Sequence, residues 1–368
     1  MSARPLSAVV LAAGDNSRMR SDTPKVLHRL CGRPMILHVL DALAELHVDR
    51  IVVVVGHGST EVTKVVQAEA PADLAIEFVE QAFPRGTGDA AAVALTGFPD
   101  SFGDYLEDGD LVVLPGDTPL VRPPTLAALV RVHRAADAAA TVLTALVADP
   151  HGYGRIVRAK DGSVARIVEH LDASADELGI AEISTSIYCF RHGELAPALR
   201  RLSPDNAGGL YYLTDTIEVL HDAGYTTESF LVDDPSEAAG VNDRAQLAAA
   251  ESVLRARINE RFMRRGVTMV DPEQTYVEAE VDIAEDVILQ PGTVLEGATR
   301  IGRGSVIGPF TRLTDSLVGE GVRVQESVAV RAEIGDDCVV GPFAVLEAGT
   351  RLAPGTVAGP FFRGSTSG

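Results

Sequence analysis

The chain has 368 residues, 46% of them hydrophobic, and its formal net charge is −20 at pH 7. This length is enough for two or three domains with sizeable cores. The negative charge excludes a general nucleic-acid-binding surface, which needs a basic stripe, although a local basic pocket could still hold a phosphate ligand.

Cysteine usage and the N-terminal segment favour a cytoplasmic protein. Cys31, Cys189 and Cys338 are far apart in the sequence, which predicts apolar fillers in a reducing compartment. The apolar run 7–13 is short and leads into a charged loop, unlike a signal peptide. No stretch approaches the ~20 apolar residues that span a bilayer, so we expect no membrane association.

Up to about residue 243 the sequence alternates short β-branched runs with helical patterns. Helices are predicted at 34–46 and 124–135. This alternation predicts an α/β fold with a mostly parallel sheet and helices on both faces. The predicted strands are 8–12, 51–55, 76–80, 111–114, 141–147, 166–169, 183–190 and 228–232.

The rest of the chain follows a different period. A helix is predicted over 242–265, with Gly266 as its C-cap. Beyond it, apolar residues recur every six residues, with a slip of one residue before Val318 and a further slip before Ile334. The series is Ile283, Leu289, Leu295, Ile301, Ile307, Leu313, Val318, Val324, Val330, Ile334, Val340, Leu346 and Leu352. This period predicts a short left-handed parallel β-helix of hexapeptide repeats, roughly four to five coils long.

The predicted organisation is therefore an α/β domain followed by a β-helix. We expect the α/β domain at 1–242, a connecting helix at 243–266, the β-helix at 267–360 and a flexible tail at 361–368.

The first loop concentrates positive charge in an acidic chain. Arg18, Arg20 and Lys25 follow a strand that runs into Ala13-Gly14. Backbone N–H groups at such a turn can face an anion, and glycine allows close approach. The loop has neither the GxGxxG nor the GK[ST] pattern. Taken alone, a basic loop after a strand is more often a solvated surface loop.

Several motifs in a fixed order point to a phosphate-binding function for this loop. They are LAAGDNSRMRSDTPKVLH (11–28), QAFPRGTGDA (81–90), PGDTPL (115–120), GYGRIVR (152–158), IVEHLDA (167–173), YYLTD (211–215) and GVNDR (240–244). Together with the hexapeptide tail, they resemble the sugar-1-phosphate nucleotidyltransferase family. Within it they are most similar to the bifunctional N-acetylglucosamine-1-phosphate uridyltransferase/acetyltransferase branch. The resemblance extends over nearly the whole chain.

The resemblance implies a Rossmann-like nucleotidyltransferase domain with a defined set of site residues. Arg18 and Lys25 would be catalytic and bind the phosphates, and Asp117 and Asn242 would hold Mg²⁺. Gln81 would contact the base. The full nucleotide-binding set would be Leu11, Ala12, Ala13, Gly14, Gln81, Gly86 and Thr87, and the sugar-binding set would be Tyr153, Gly154, Glu169, Ser184 and Thr185.

Four of these assignments have an ordinary structural alternative. Asp117 ends a buried run, where turn formers and N-caps are common, and Asn242 could cap the long helix. Glu169 could be a surface glutamate and Gln81 a loop residue. In favour of function, Asp117 falls at the carboxyl edge of the predicted sheet, where ligands of open α/β folds bind. Carboxylate and amide oxygens also suit Mg²⁺.

The implied reaction is a direct displacement between a nucleoside triphosphate and a sugar or cyclitol 1-phosphate. A sugar-phosphate oxygen attacks the α-phosphorus, and pyrophosphate leaves. This chemistry needs positioning and charge neutralisation rather than a protein nucleophile. The base stays open among those of UTP, GTP, ATP and dTTP, and the β-helix could serve homo-oligomerisation.

Departures from the family pattern bear on the substrate. Asn16 replaces a glycine of the family's GxGTR loop, which asparagine tolerates because it accepts left-handed backbone better than most residues. Asp89 stands where the family's GTGHA has histidine. Ser184 and Ser186 replace the asparagine and glycine of EINTGIY. A lost polar contact can change discrimination by orders of magnitude, so we expect a different sugar or a sugar-like cyclitol.

Three rival functions remain at this stage. The first is a true UTP:N-acetylglucosamine-1-phosphate uridyltransferase. The second is a non-catalytic nucleotide-sugar-binding scaffold. The third is an acyltransferase, which we do not expect because motifs resembling HLSYxGDA and NYDG are missing and the last histidine is His221.

Overall fold

The structure is a computed structural model that describes residues 4–14, 16–56, 60–98 and 109–364. The chain folds into two compact units. The α/β unit comprises Met1–His28 and Pro34–Ala250, and the β-helix unit comprises Arg29–Arg33 and Glu251–Gly368. Among the helices that the structure describes, none combines the length and hydropathy required of a membrane span.

Strands and helices alternate through the first part of the chain. The strands are β1 Leu6–Ala12, β2 Arg29–Leu30, β3 Arg33–Pro34, β4 Arg50–Gly56, β5 Ile76–Gln81, β6 Asp110–Pro115, β7 Ala140–Leu146, β8 Arg155–Arg158, β9 Val164–Val168, β10 Glu182–Arg191 and β11 Thr227–Leu231. The helices are α1 Met35–Glu45, α2 Thr60–Glu69, α3 Thr87–Leu95, α4 Pro123–Ala135, α5 Ala175–Leu178, α6 His192–Leu199, α7 Asp215–Asp222 and α8 Arg244–Arg264.

The sheet of the α/β unit has the order β11-β7-β10-β6-β1-β4-β5. Strands β6, β1, β4 and β5 are parallel, and β11 is parallel to β7. Strand β10 runs antiparallel to β6 and β7. Apolar clusters cover both faces, one including residues of α1 and α4 and the other residues of α3 and α7. The predicted α/β fold with a mostly parallel sheet is confirmed.

All eight predicted strands are present, with ends that differ by one or two residues. Sequence reasoning did not identify β8, which pairs with β9 and with β10. Strands β2 and β3, which form a two-stranded sheet of their own, were also not predicted.

The β-helix unit consists of very short parallel strands stacked in three sheets. Its strands are β12 Thr268–Met269, β13 Tyr276–Val277, β14 Asp282–Ile283, β15 Ile288–Leu289, β16 Val294–Glu296, β17 Arg300–Ile301, β18 Val306–Ile307, β19 Arg312–Thr314, β20 Leu317–Val318, β21 Arg323–Val324, β22 Val328–Val330, β23 Glu333–Ile334, β24 Val339–Val340, β25 Val345–Leu346, β26 Arg351–Leu352, β27 Val357–Ala358 and β28 Arg363–Gly364. Every third strand stacks into the same sheet, as in β12-β15-β18-β21-β24-β27. The predicted left-handed hexapeptide β-helix is confirmed.

One position of the predicted hexapeptide series is wrong. Val330 is only half-buried, and Ala329 is the residue that points inward, 1% exposed. The spacings from Val324 to Ala329 and from Ala329 to Ile334 are each five residues, because two successive repeats within one coil each omit a residue. The inward series also begins earlier than predicted, because Met269 of β12 stacks on Leu289 and Val277 lies six residues before Ile283. Gly266 takes the predicted C-cap role, with φ +94° and its N–H bonded to the Met263 carbonyl at 3.1 Å.

Candidate active site

The predicted nucleotide-binding residues lie along one edge of the sheet of the α/β unit. Strands β6, β1, β4 and β5 are parallel neighbours, so their carboxyl ends share an edge. Gly14 follows β1, Asp117 follows β6 and Gln81 ends β5. Neighbouring strands are ~4.8 Å apart, and β4 lies between β1 and β5. Two strand spacings therefore separate Gln81 from the end of β1, which is about the distance between the base and the phosphates of a nucleotide. Such an edge is where ligands bind in open α/β folds.

A charged cluster joins the loop after β1 to the residues after β6 and before α8. The Lys25 ammonium forms an ion pair with Asp117 Oδ2 and donates a hydrogen bond to Asn242 Oδ1 at 3.2 Å. Arg18 donates to the same Asn242 oxygen at 2.8 Å. A Cβ on Gly14 would lie 3.6 Å from Lys25 Nζ, so the glycine turn packs beside the ammonium. The structure therefore brings the four predicted phosphate-binding and metal-binding residues together.

The oxygen atoms of this cluster fit a hard divalent cation. A carboxylate oxygen of Asp117 and the amide oxygen of Asn242 both lie around one positive centre, the Lys25 ammonium. The side chains of Lys25 and Asp117 are only 10% and 15% exposed. No group of three or more His, Cys, Asp or Glu residues that could hold a metal is found in the described part of the chain. Two protein oxygens suffice for Mg²⁺, which keeps several waters and takes phosphate oxygens.

The loop before Lys25 is shaped by Asn16, in a way that differs from the expectation. Asn16 has φ −94°, so it does not use the left-handed conformation for which asparagine was expected to substitute for glycine. Its amide nitrogen instead donates to the carbonyl of Thr23 at 2.8 Å and to that of Ser21. Among the described residues of this loop, Arg20 is the one in the left-handed conformation, with φ 48°. The conformation of this loop is therefore fixed by the side-chain hydrogen bonds of Asn16, and it does not need the backbone flexibility of a glycine at this position.

The segment around Gly86 forms a second wall of the site. Gly86 has φ +110°, and a Cβ there would lie 2.4 Å from the Tyr211 carbonyl oxygen, so only glycine fits. The Thr87 hydroxyl accepts from the Leu213 N–H at 3.0 Å, which fastens the start of α3 to the YYLTD segment. Gln81 is buried beside this turn, and its amide nitrogen donates to the Gly86 carbonyl at 3.1 Å.

The remaining nucleotide-binding predictions concern backbone atoms. The side chains of Leu11 and Ala13 pack against one core cluster, and Ala12 belongs to the other. Their roles in nucleotide binding stay predictions.

Most of the predicted sugar-binding residues are neighbours. A Cβ on Gly154 would lie 3.6 Å from Glu169 Oε2, and the Gly154 carbonyl accepts from the Ser184 N–H at 2.9 Å. Burial, with a smaller contribution from nearby Asp117, raises the pKa of Tyr153, which links this group to the charged cluster. Thr185 is different, because its buried hydroxyl donates to the Leu143 carbonyl at 2.8 Å. Its side chain is used within the sheet.

Ser186 occupies a backbone conformation that favours glycine. It lies in an irregular stretch of β10, between Ser184 and Tyr188, and has φ +62°. A non-glycine residue in this region is strained by about 1 kcal/mol. The family motif has glycine at this position, so the substitution leaves strain next to the predicted sugar-binding residues.

Sequence reasoning missed an acidic group around Glu169. Burial raises the pKa of Glu169, whose Oε1 accepts from the Thr214 hydroxyl at 3.0 Å. Burial, followed by the charges of Glu169, Glu218 and Asp172, raises the pKa of Asp215 to about 6. Asp215 ends the YYLTD motif, which was the available signal, but a lone aspartate at a helix start reads as a capping residue.

Replacing Asp215 with asparagine should stabilise the protein at neutral pH. The raised pKa means that the folded state holds this proton more tightly than the unfolded state. The contribution of this bound proton to the free energy of unfolding is fully present below pH 3.8, the ordinary pKa of aspartate, and is lost as the pH rises to about 6. We expect Asp215→Asn to raise the free energy of unfolding by about 1–2 kcal/mol at pH 7.5 and to have little effect at pH 4. Thermal unfolding at both values measures this, and an equal shift at both would contradict it.

Comparison with known proteins decides the family. A model of the MobA-like NTP transferase domain matches residues 8–216. The bifunctional protein GlmU of Desulfitobacterium hafniense is 44% identical over 355 residues, covering 96% of this chain and 75% of that protein. The proteins of the same name from Streptomyces avermitilis and Pelotomaculum thermopropionicum are 45% and 46% identical, covering 95% and 97% of this chain and 71% and 75% of theirs.

The chain belongs to the GlmU family. It is a nucleotidyltransferase of the sugar-phosphate type, as the sequence motifs indicate. The matched NTP transferase segment contains every predicted site residue except Asn242, which the charged cluster nevertheless brings into hydrogen-bonding contact with Arg18 and Lys25.

Proposed function

We propose that this chain is a Mg²⁺-dependent nucleotidyltransferase that converts a nucleoside triphosphate and a sugar or cyclitol 1-phosphate into a nucleotide sugar and pyrophosphate. The observation that carries the proposal is the convergence of Arg18 and Lys25 with Asp117 and Asn242 at the carboxyl edge of the sheet. Two cations and two oxygen ligands at one point match a triphosphate and its metal.

The chain's own residues contribute positioning and charge. Lys25 and Arg18 would exchange Asp117 and Asn242 for phosphate oxygens, where the Arg18 guanidinium can form two parallel hydrogen bonds. Asp117 and Asn242 would hold Mg²⁺, which supplies further neutralisation of phosphate charge. The sugar-phosphate oxygen forms a bond to the α-phosphorus while the bond from that phosphorus to the bridging oxygen of pyrophosphate breaks. No protein nucleophile is required.

A pyrophosphate-release assay tests the proposal. UTP, dTTP, GTP, CTP and ATP would each be combined with a panel of sugar and cyclitol 1-phosphates, with and without Mg²⁺. The proposal expects pyrophosphate from at least one pair, and only with a divalent cation. Nucleotide binding without pyrophosphate from any pair would instead support the non-catalytic scaffold.

We further propose that the sugar phosphate differs from N-acetylglucosamine 1-phosphate. Ser184 is shorter than the family's asparagine, and its hydroxyl lies 3.2 Å from that of buried Tyr188. The Ser184 hydroxyl therefore extends less far toward a substrate than the amide group of an asparagine would. The alternative, a true UTP:N-acetylglucosamine-1-phosphate uridyltransferase, is what the resemblance alone implies, and the same panel separates the two.

Restoring the family residues should change the sugar preference. Ser184→Asn with Ser186→Gly is expected to raise kcat/KM for N-acetylglucosamine 1-phosphate by at least about 10-fold relative to the best natural substrate, because a regained polar contact can discriminate strongly. Ser186→Gly alone is the control, expected to raise the free energy of unfolding by about 1 kcal/mol with an unchanged preference. An unchanged preference in the double variant would remove Ser184 from the sugar site.

Three further expectations stay predictions. They are the absence of acetyl transfer, which an assay with acetyl-CoA and glucosamine 1-phosphate measures, self-association through the β-helix, and a cytoplasmic location.

A further inference from the structure

The amide group of Gln81 is held in one orientation. Gln81 is 6% exposed, and its amide nitrogen donates to Asp89 Oδ2 at 2.7 Å and to the Gly86 carbonyl at 3.1 Å. Both partners are hydrogen-bond acceptors, so the NH₂ group of the amide must face them. The hydrogen bonds decide this orientation, because the nitrogen and oxygen of an amide have nearly the same shape. The Gln81 carbonyl oxygen must then point elsewhere, and it has no hydrogen-bond donor among the residues that the structure describes.

Asp89 is the stronger of the two acceptors. The Gly86 carbonyl is shared, because it also accepts from the Ala90 N–H at 3.1 Å as α3 begins. The Asp89 carboxylate forms the shorter bond, and a charged acceptor roughly doubles the strength of a hydrogen bond. Asp89 also lies in the first turn of α3, where the helix dipole stabilises a negative charge.

We propose that Asp89 is a positioning residue that sets base specificity by fixing the Gln81 carbonyl oxygen toward the base. This inference rests on the proposed nucleotidyltransferase function and on Gln81 contacting the base. An acceptor at that point matches a ring N–H, which uracil, thymine and guanine offer. It opposes the ring nitrogen acceptors of cytosine and adenine, which would face a second acceptor.

The histidine of the family motif would act differently at this position. An imidazole nitrogen can donate or accept according to its tautomer, so it does not dictate the orientation of the Gln81 amide. A carboxylate only accepts. The substitution at position 89 therefore makes base selection depend on Gln81 in one fixed orientation.

Nucleotide binding without a sugar phosphate tests this inference separately from catalysis. Kd would be measured for UTP against CTP and for GTP against ATP, so that each comparison is between bases of the same size. The variants are Asp89→Ala, which removes the acceptor, and Asp89→Asn, whose carbonyl can replace it. Asp73→Ala, which changes an exposed aspartate, is the matched control.

Two pairs of nucleotides are compared, UTP with CTP and GTP with ATP. In the pair that binds, we expect the wild type to bind the nucleotide whose base has a ring N–H, UTP or GTP, at least roughly 10-fold more tightly than the other. In the Asp89→Ala variant this affinity ratio should fall about 10-fold, because the Gln81 amide can then rotate to present its NH₂ group to the base at little cost. Asp89→Asn and Asp73→Ala should keep most of it. Three results would overturn the inference: a wild-type preference for CTP or ATP, an unchanged ratio in Asp89→Ala, or an equal loss of affinity for every nucleotide. Pyrophosphate release is measured independently and decides the proposed function. Release together with an unchanged ratio in Asp89→Ala would leave that function standing and overturn the inference. A reduced ratio without release would overturn the proposed function and leave Asp89 a role only in nucleotide binding.

Discussion

The Asp117→Ala variant is expected to lose about 10³-fold in kcat/KM for pyrophosphate release. Asp117 supplies the carboxylate of the proposed Mg²⁺ site, and removing one group that stabilises charge in a transition state typically costs 10²–10³-fold. The side chain lies in the turn that follows β6 and is not part of the core clusters. The variant should therefore fold, as measured by an unchanged far-UV circular dichroism spectrum.

The dependence on Mg²⁺ gives this variant a sharper readout. In Asp117→Ala, the Mg²⁺ concentration that gives half-maximal rate should rise together with the loss of rate. Asp222→Ala, an exposed aspartate at the end of α7, is the control and should behave as the wild type. Near-normal turnover of Asp117→Ala would remove this residue from the metal site.

Replacing Lys25 with methionine is expected to lower kcat/KM by about 10²–10³-fold. Methionine keeps much of the length and apolar stem of lysine but removes the ammonium that we expect on the phosphates. The side chain is only 10% exposed, so its loss leaves Asp117 without its ion-pair partner. An unpaired carboxylate with little solvent contact is costly, and some loss of stability should accompany the loss of rate.

The pattern of the kinetic loss separates binding from structure. Because Lys25 would contact the triphosphate, Lys25→Met should raise KM for the nucleotide and lower kcat, with KM for the sugar phosphate much less affected. Lys64→Met, which changes an exposed lysine of α2, serves as the control. Equal effects on both substrates would indicate that Lys25 acts only by supporting the fold around Asp117.

The regular parts of the fold could be predicted from the sequence because each has its own period. Buried strands such as β1 and β4 are nearly continuous apolar runs, and the β-helix repeats an inward residue at most of its six-residue steps. The prediction went wrong where the period itself changed. Val330 continued the six-residue spacing, but the coil omits a residue and turns small Ala329 inward. A small inward side chain is hardly distinguishable from a loop alanine in sequence.

The candidate site was predictable to the extent that its residues follow strand ends or family motifs. Arg18, Lys25, Asp117 and Asn242 were identified this way, and the structure places them in one cluster. The acid group around Asp215 was not identified, because the raised pKa depends first on burial and then on neighbouring carboxylates, of which Glu169 and Asp172 come from another segment. Likewise, Asp89 was recognised only as a departure from a motif. Its hydrogen bond to Gln81 depends on how the turn at Gly86 brings α3 beside β5.

The most direct test of the central claim is a crystal structure with Mg²⁺ and a nucleoside triphosphate analogue that cannot be cleaved between its α- and β-phosphates. We predict that the Lys25 ammonium leaves Asp117 and, with Arg18, contacts phosphate oxygens at the carboxyl edge of β1. A nucleotide bound elsewhere, or a Lys25 that stays on Asp117 with no phosphate contact, would contradict the account.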